Sequence, residues 1–483
     1  MEKVNKMIGA WDETNKKELP GVYNAFSFKA QDTIQNGTGG VLAMPVKANW
    51  GPVGKFISIK DKKDLREHFG DDETYSAVKL GKLALLGNPK EILMCRIANE
   101  NAACSKLPIK DTASDSAVTV IEISSLYPTD RDFNITIREN IGDSEKKDLI
   151  LFEGTKPILS FTALPKNIDT IVNTINSHLR NKYIRAEKKA DSELPLADIV
   201  NQKLTGGNNG LENITNEDYV NVLSEFERVN FNKFVLDGVD EEELNTTIKS
   251  WIDTLRSKGR PVSSFLGSKD SVTHEEINNK SINMNHEGIV HVNIKGTLNG
   301  KTYTRAESAI HIAALACSIG IKDSLCNMKT SFNDVEYMSE EEQIEAINSG
   351  TLVCYKDQDG DVLILDDVNT LDVMAIDENS HKGEYLRYIR TVDFIDTVDT
   401  DIKVVCKKYK GKMGNNTNGQ IVVSTAFKKY FEEYVANQII EPSFVVAIDE
   451  ESQSTAKKDE FYWKWSAEHI GVMKKIYGTG YVK

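Results

Sequence analysis

The first residues that could do chemistry lie at 296–302, where the sequence reads Gly-Thr-Leu-Asn-Gly-Lys-Thr. A phosphate-binding P-loop needs four residues between its glycines, so that the backbone amides can surround the phosphates. Only three residues separate Gly296 from Gly300. Asn-Gly between two strand-like runs favours a two-residue hairpin turn instead. The glycine-rich run at 206–210 lacks the G-x-G-x-x-G spacing and indicates a linker or turn.

Histidines and carboxylates offer two candidate metal sites. His274 and His286 are each followed by glutamate, but neither has the second histidine four residues on that a helical zinc site needs. His291 is expected to be an ordinary side chain of a strand. The run 357–361, Asp-Gln-Asp-Gly-Asp, has the alternating carboxylates of a calcium loop, yet Val368 stands where the closing glutamate belongs. The sequence predicts no metal and no cofactor, and leaves adventitious calcium binding at 357–361 open.

Nucleophilic catalysis has no signature in this sequence. The G-x-S-x-G elbow that exposes a hydrolase serine is absent. A Ser-His-Asp triad is recognised by geometry, so the sequence alone does not exclude one. The six cysteines form no C-x-x-C pair and are expected to be small buried hydrophobes. The chain is predicted not to be an enzyme; the alternative is a hydrolase with a subtilisin-like or Rossmann-like core and an unrecognised active site.

One basic cluster stands out in this acidic chain. Its members are Lys403, Lys407, Lys408, Lys410 and Lys412, at the end of a predicted helix. Lysines there are favoured by the helix dipole, so a solvated helix end is the simpler interpretation. The alternative is a contact with an acidic partner surface, for which Lys407, Lys408 and Lys410 are the candidates.

Composition limits the class of protein further. At 483 residues the chain is too long for one hydrophobic core, and about three domains are expected. A net charge of −14 argues against a nucleic-acid binder. No apolar run is long enough to span a membrane, and residues 1–17 lack the apolar core of a secretory signal. We therefore expect a protein that is made in the cytoplasm and stays there or leaves the cell by lysis.

Hydrophobic periodicity divides the chain into segments of different texture. Strands and helices alternate up to about residue 98, after a polar start that ends at Pro20. Short strands with polar turns then predict a small, mostly β module. Strand–helix alternation resumes after residue 205 and predicts a mainly parallel sheet. A hairpin near Gly360, a helix over 390–409 and a second helix from about 424 to 438 follow, and strands are predicted at 461–465 and 476–482.

Short motifs in a fixed order extend over nearly the whole chain. They are Leu19-Pro20-Gly21-Val22-Tyr23, Gly40-Val41-Leu42-Ala43-Met44-Pro45-Val46, Asn49-Trp50-Gly51-Pro52-Val53-Gly54, Leu204 to Gly210, Asn299 to Thr304 with the alanine-rich helix after it, Asp366 to Leu371, and Met473-Lys474-Lys475-Ile476-Tyr477. Together they resemble the sheath proteins of contractile phage tails, of the type found in Gram-positive myophages and phage-like bacteriocins.

That resemblance implies a multi-domain α/β and β fold. It would consist of a non-catalytic, subtilisin-like α/β core, an inserted β-sandwich domain, a C-terminal α+β domain and extended terminal arms. The expected boundaries are 1–20 for the N-terminal arm, 21–98 for the N-terminal α/β segment, 99–205 for the β-sandwich, 206–350 for the subtilisin-like domain, 351–460 for the C-terminal domain and 461–483 for the C-terminal arm or strand.

The resemblance also implies a function and partners. Copies of the chain would stack as hexameric rings around a tail tube and contract to drive it through a cell envelope, together with baseplate and tail-terminator proteins. Terminal arms would add strands to the sheets of neighbouring copies, with Val22, Tyr23, Ile476, Tyr477, Tyr481 and Val482 as the arm residues. No nucleic acid and no membrane insertion are expected. The expected location is a virion tail or phage-tail-like particle, assembled in the host cytoplasm and released by lysis.

Overall fold

The computed structural model describes residues 40–113, 117–371 and 384–482. Val22, Tyr23 and the expected N-terminal arm at 1–20 lie outside these ranges. The described strands are β1 Val41–Val46, β2 Phe56–Ile59, β3 Glu91–Arg96, β4 Lys106–Lys110, β5 Thr119–Ser125, β6 Phe133–Asn140, β7 Asp143–Glu153, β8 Lys156–Leu164, β9 Ile184–Lys188, β10 Ile199–Lys203, β11 Lys233–Val235, β12 Ser263–Gly267, β13 Ile289–Val292, β14 Gly296–Leu298, β15 Lys301–Thr302, β16 Asp334–Val335, β17 Thr351–Leu352, β18 Cys354–Lys356, β19 Val362–Ile364, β20 Val445–Ile448 and β21 Trp463–Ser466.

The described helices complete the list. They are α1 Lys62–Phe69, α2 Ser76–Leu85, α3 Ile168–Ser177, α4 Asn216–Phe226, α5 Glu242–Ser257, α6 His274–Met284, α7 Arg305–Ser318, α8 Glu340–Asn348, α9 Ile389–Tyr409, α10 Thr417–Ala436 and α11 Glu450–Ser454. None of these helices combines the length and the apolar character needed to cross a bilayer.

A seven-stranded sheet, in the order β17-β13-β12-β11-β1-β3-β2, forms the centre of the molecule. All its neighbouring strands are parallel except the edge pair β2–β3. The sheet combines strands from the predicted segments 21–98 and 206–350, and β17 begins one residue beyond the second segment. Helix α7 is buried along almost its whole length against this sheet, because its alanines allow close approach. Long-range parallel pairing therefore joins two segments that the β module separates in sequence.

The β module carries two antiparallel sheets, β10-β6-β7-β8 and β4-β5-β9. Helix α3 adds Ile168, Ile171 and Ile175 to the apolar core between them. The junction with the central sheet is held by Arg96, whose buried guanidinium donates to the carbonyls of Gly51, Pro128 and Asn209 at 2.7–3.0 Å. A buried arginine with three carbonyl acceptors fixes the module on the α/β core.

The C-terminal part is an α+β unit in which α10 packs on the β20–β21 hairpin. Trp463 and Trp465 contact Phe427 and Phe431, with ring centroids 4.1 and 4.9 Å apart. Helix α10 begins at Thr417, seven residues before the predicted start, because the Asn416 side chain accepts from the amide of Gly419 and caps it.

Two further features of this part differ from what sequence periodicity indicated. The polar segment after residue 448 contains the short helix α11, which was not expected. Residues 471–482, where the sequence predicted a strand over 476–482, have no regular secondary structure in the single chain. A strand needs a neighbouring edge for its main-chain hydrogen bonds, and alternation of side chains cannot supply that edge.

Candidate assembly surfaces

A seam of ion pairs joins helix α9 to the central sheet. Arg256 on α5 donates two hydrogen bonds to Asp396, at 2.7 and 3.0 Å, in a bidentate arrangement. Lys233, at the start of β11, pairs with Asp393 one turn earlier on α9. Burial raises the pKa of Asp396, and the Arg256 guanidinium partly offsets that rise. These pairs are mostly buried, so they couple the C-terminal unit to the core as one body.

The chain after β21 runs back over this body before it leaves. The amide of Ile470 donates to the carbonyl of Ile439 at 3.0 Å, and Arg390 donates to the Ile470 carbonyl at 2.7 Å. The ring of His469 stacks on Phe394, with centroids 4.4 Å apart. The backbone is therefore held at least as far as residue 470.

The last anchor is an ion-pair cluster that we call the Lys474 clasp, made of Lys474, Asp366, Asp367 and Tyr388. The Lys474 ammonium contacts both carboxylates and lies 3.8 Å from the centroid of the Tyr388 ring. The side chain of Asp367 is only 1% exposed. Burial lowers the pKa of Lys474, but the two carboxylates outweigh it and the net pKa is raised. The clasp therefore holds a charged lysine against two acids that precede α9.

Beyond the clasp, residues 475–482, which we call the arm, extend into solvent. Ile476, Tyr477, Tyr481 and Val482 are each at least 83% exposed. Glycines at 478 and 480 separate these large side chains. Several exposed apolar side chains on one short segment are typical of a surface that binds another protein.

A possible acceptor for such a segment is the β20–β21 hairpin. It is a two-stranded antiparallel sheet in which Val446 faces Trp465 and Ile448 faces Trp463. Val446, Trp463 and Trp465 pack toward α10, whereas Val445 is 50% exposed. Within the described residues both strands lie at an edge of their sheet. An edge strand presents main-chain groups with which an added strand can pair.

The predicted basic cluster divides into two parts. Lys403 is used inside the molecule, since its ammonium donates to the carbonyl of Gly259 at 2.6 Å and contacts Asp399. Lys407 and Lys408 lie in the last turn of α9, and Lys410 follows it; all three are exposed. The structure thus places the three candidate contact lysines on one exposed helix end, apart from the seam.

Three models of sheath protein domains match the chain. The phage tail sheath β-sandwich domain matches residues 101–209, the central domain 212–370 and the C-terminal domain 381–483. These ranges follow one another and together extend over most of the chain. The chain belongs to the phage tail sheath protein family.

Relatives of this sheath protein come from bacteria and phages. The Bacillus subtilis protein YqbK is 23% identical, with 98% of this chain and 99% of YqbK covered. The protein XkdK of the B. subtilis phage-like element PBSX is 22% identical over 83% of this chain and 84% of XkdK. The tail sheath protein of Clostridium phage phiCD119 is 24% identical over 48% of this chain and 61% of its own length.

Solved structures share the fold. The sheath tail protein of Desulfitobacterium hafniense superimposes with a TM-score of 0.68 at 19% identity, covering 93% of this chain and 100% of that chain. The contracted helical sheath of the anti-feeding prophage gives a TM-score of 0.53 at 10% identity, covering 96% and 99%. The fold class is therefore multi-domain α/β with a β-sandwich domain.

The sheath protein is a structural subunit and not an enzyme, and its buried Ser-His contact fits that role. Ser268 lies 3.0 Å from Nε2 of His291, and Ser281 lies 2.7 Å from Nδ1, where a hydrolase triad has a carboxylate. All three residues are at most 1% exposed. Burial lowers the pKa of His291 to about 4, so the ring is neutral at pH 7. As predicted, His291 is a side chain of a strand, β13.

The remaining sequence candidates are local turns. Asn299 and Gly300 have φ values of 50° and 78° and join β14 to β15, so the P-loop-like segment is the predicted hairpin. At 357–361, the carboxylate of Asp357 accepts from the amides of Asp359 and Asp361. Among the described residues, no three His, Cys, Asp or Glu side chains are grouped to hold a metal. Sequence reasoning missed the Lys474 clasp, since its members are about a hundred residues apart.

Proposed function

We propose that this sheath protein polymerises as stacked hexameric rings around an inner tube and shortens to drive the tube through a target cell envelope. The observation that carries the proposal is the arm, an exposed apolar segment that follows a firmly anchored one. Two structural neighbours are the contracted sheaths of the anti-feeding prophage and of an extracellular contractile injection system. Contraction in those particles supports contraction as the function of this chain too.

The arm would link copies by strand addition. Residues 475–482, paired with the β20–β21 sheet of a neighbouring copy, would gain main-chain hydrogen bonds worth about 0.5–1.5 kcal/mol each. In an added strand, alternate residues face opposite sides, so Ile476 and Val482 would share one face and Tyr477 and Tyr481 the other. Val22 and Tyr23 would likewise add a strand to a neighbouring copy, near the N-terminal end of the chain.

The body between the arms would move as a unit during contraction. The seam pairs Arg256–Asp396 and Lys233–Asp393 support this, because separating them would expose or isolate mostly buried charges. Contraction would then repack surfaces between copies while the arms keep them connected. The parallel central sheet is compatible with the subtilisin-like core implied by the resemblance, which stays part of this proposal.

The proposed partners are further copies of the chain, a tail tube, and baseplate and terminator proteins. One structural neighbour is described as part of an anti-feeding prophage baseplate, which supports the baseplate contact. For the tube, Lys407, Lys408 and Lys410 would face an acidic surface. The particle would be a phage tail or a phage-tail-like device, assembled in the host cytoplasm and released by lysis.

The direct test removes the arm alone. A chain that stops after Lys474 should stay folded, because the clasp and everything before it remain. It should form no tubular polymers of sheath protein, which are called tubes below. Electron microscopy of the purified protein, with sedimentation to measure polymer, gives the result. Removal from Phe461 onward would be a poor test, since it also deletes β21, whose two tryptophans pack on α10.

The matched control keeps the arm's length and changes its exposed hydroxyl. Thr479→Ala should polymerise like the unsubstituted chain, because strand pairing uses main-chain groups. Thr479→Pro should impair polymerisation, since proline removes a main-chain donor. Normal long tubes from the chain that stops at Lys474 would refute strand addition by this arm.

A further inference from the structure

The Lys474 clasp lies where the ordered body ends and the arm begins. Its carboxylates, Asp366 and Asp367, lie at the end of the central domain, and Tyr388 immediately precedes α9. Lys474 thus contacts two carboxylates at the end of the central domain and, through Tyr388, the start of the C-terminal unit. Its neighbour Lys475 is exposed. Two adjacent lysines therefore have different environments, since Lys474 pairs with carboxylates of the body and Lys475 is exposed.

The clasp is built as a site for this one side chain. Asp367 is almost completely buried, and its backbone amide donates to the carboxylate of its neighbour Asp366 at 2.8 Å. A buried carboxylate without a cation is costly, so the tail lysine satisfies a charge that the body already contains. The nearest other tail anchor is at Ile470. Without the clasp, the free segment would begin at about Gly471.

We propose that Lys474 is a positioning residue for assembly, which fixes the point and direction from which the arm leaves the body. This inference rests on the proposed function of the arm as a linking strand. A fixed origin shortens the segment that must be ordered when the arm pairs with another copy. Each residue that no longer has to be ordered saves backbone entropy, so the clasp strengthens polymerisation without touching the partner.

The test compares Lys474→Gln with Lys429→Gln, which changes an exposed lysine on α10, outside both the clasp and the arm. Lys474→Gln should speed amide hydrogen exchange at residues 471–475 in the unpolymerised chain. It should also raise the critical concentration for tubes at least about fivefold. Lys429→Gln should change neither quantity. Lys474→Arg should restore both, because a guanidinium can pair with the two carboxylates.

A second variant guards against misfolding. Lys474→Gln leaves Asp367 buried without its cation, so the triple variant Lys474→Gln/Asp366→Asn/Asp367→Asn removes the charges on both sides. It should keep the exchange pattern of the central sheet and still show the looser tail and the higher critical concentration. If this variant forms tubes at the same critical concentration as the unsubstituted chain, the positioning role is overturned.

The outcomes separate this inference from the proposed function. If the chain that stops after Lys474 forms normal tubes, the arm mechanism fails and the clasp has no assembly role. If that chain forms none while the Lys474 variants polymerise normally, the arm mechanism stands and the positioning role alone is refuted.

Discussion

At the level of single residues, the sheath protein buries charge where elements from distant parts of the sequence meet. Arg96 donates hydrogen bonds to three carbonyls at the junction with the β-sandwich. Burial lowers the pKa of Arg96 to about 10, which leaves it charged at pH 7. Arg256 holds Asp396 on α9. Asp401 differs from these, because its carboxylate accepts hydrogen bonds from the hydroxyls of Tyr430 and Tyr434, at 2.9 and 3.4 Å, instead of pairing with a cation.

The environment of Asp401 makes stability depend on pH. Burial raises the pKa of Asp401, and the two tyrosine hydroxyls only partly offset it. The folded state then binds the proton more tightly than the unfolded state, so the contribution of Asp401 to stability falls as the pH rises above the ordinary carboxyl value. The free energy of unfolding of Asp401→Asn, relative to that of the unsubstituted chain, should therefore be higher at about pH 7 than at about pH 4. Calorimetric unfolding at both pH values measures this; an equal difference at the two values would contradict it.

At the level of elements, close contact between β12 and α7 limits what the sequence can be. Gly267 ends β12 beneath the first turn of α7. A Cβ at Gly267 would lie 2.3 Å from the carbonyl oxygen of Arg305 and 2.7 Å from the Cα of Ala306. Both are backbone atoms of the helix, so the side chain could be accommodated only by moving α7 as a whole. The alanine-rich face of α7 and the glycine of β12 together set the distance between helix and sheet.

Substitution of this glycine should cost stability. Gly267→Ala is expected to lower the free energy of unfolding by about 1–3 kcal/mol, because overpacking displaces α7 from the sheet. Gly320→Ala is the matched control, since the nearest atom to its Cβ would be 4.0 Å away and the residue is exposed. Urea unfolding followed by circular dichroism measures both. Equal midpoints for the two variants would show that α7 moves without cost.

At the level of the whole molecule, a body held by buried contacts carries an exposed arm and an exposed basic helix end on the C-terminal unit. The seam and the clasp keep that unit fixed on the central sheet, while Lys407 and Lys410 stay available at the end of α9. The proposed links between copies and the proposed contact with a tube therefore use different surfaces and can be tested separately.

Charge reversal tests the proposed tube contact. Lys407→Glu/Lys410→Glu should reduce co-sedimentation with purified tube several-fold and leave tubes of sheath protein alone unaffected, because the arm is unchanged. The effect should shrink as salt rises, since exposed charges are screened. Lys428→Glu/Lys429→Glu reverses two exposed lysines on α10 and is the matched control. Equal loss of tube binding in both variants would assign the effect to net charge rather than to this surface.

Much of this protein's local structure was determined by sequence alone. Local sequence predicted the alanine-rich helix after Thr304, which is α7, and the Asn299-Gly300 hairpin, because each depends on neighbours in the chain. Ordered motifs predicted the family. Tertiary structure alone decided the common sheet of β1, β2 and β3 with β11, β12, β13 and β17, the Arg96 junction and the Lys474 clasp, since these contacts join residues far apart in sequence. It also decided that residues 476–482 form no strand in the single chain, because a strand needs an edge that local pattern cannot provide.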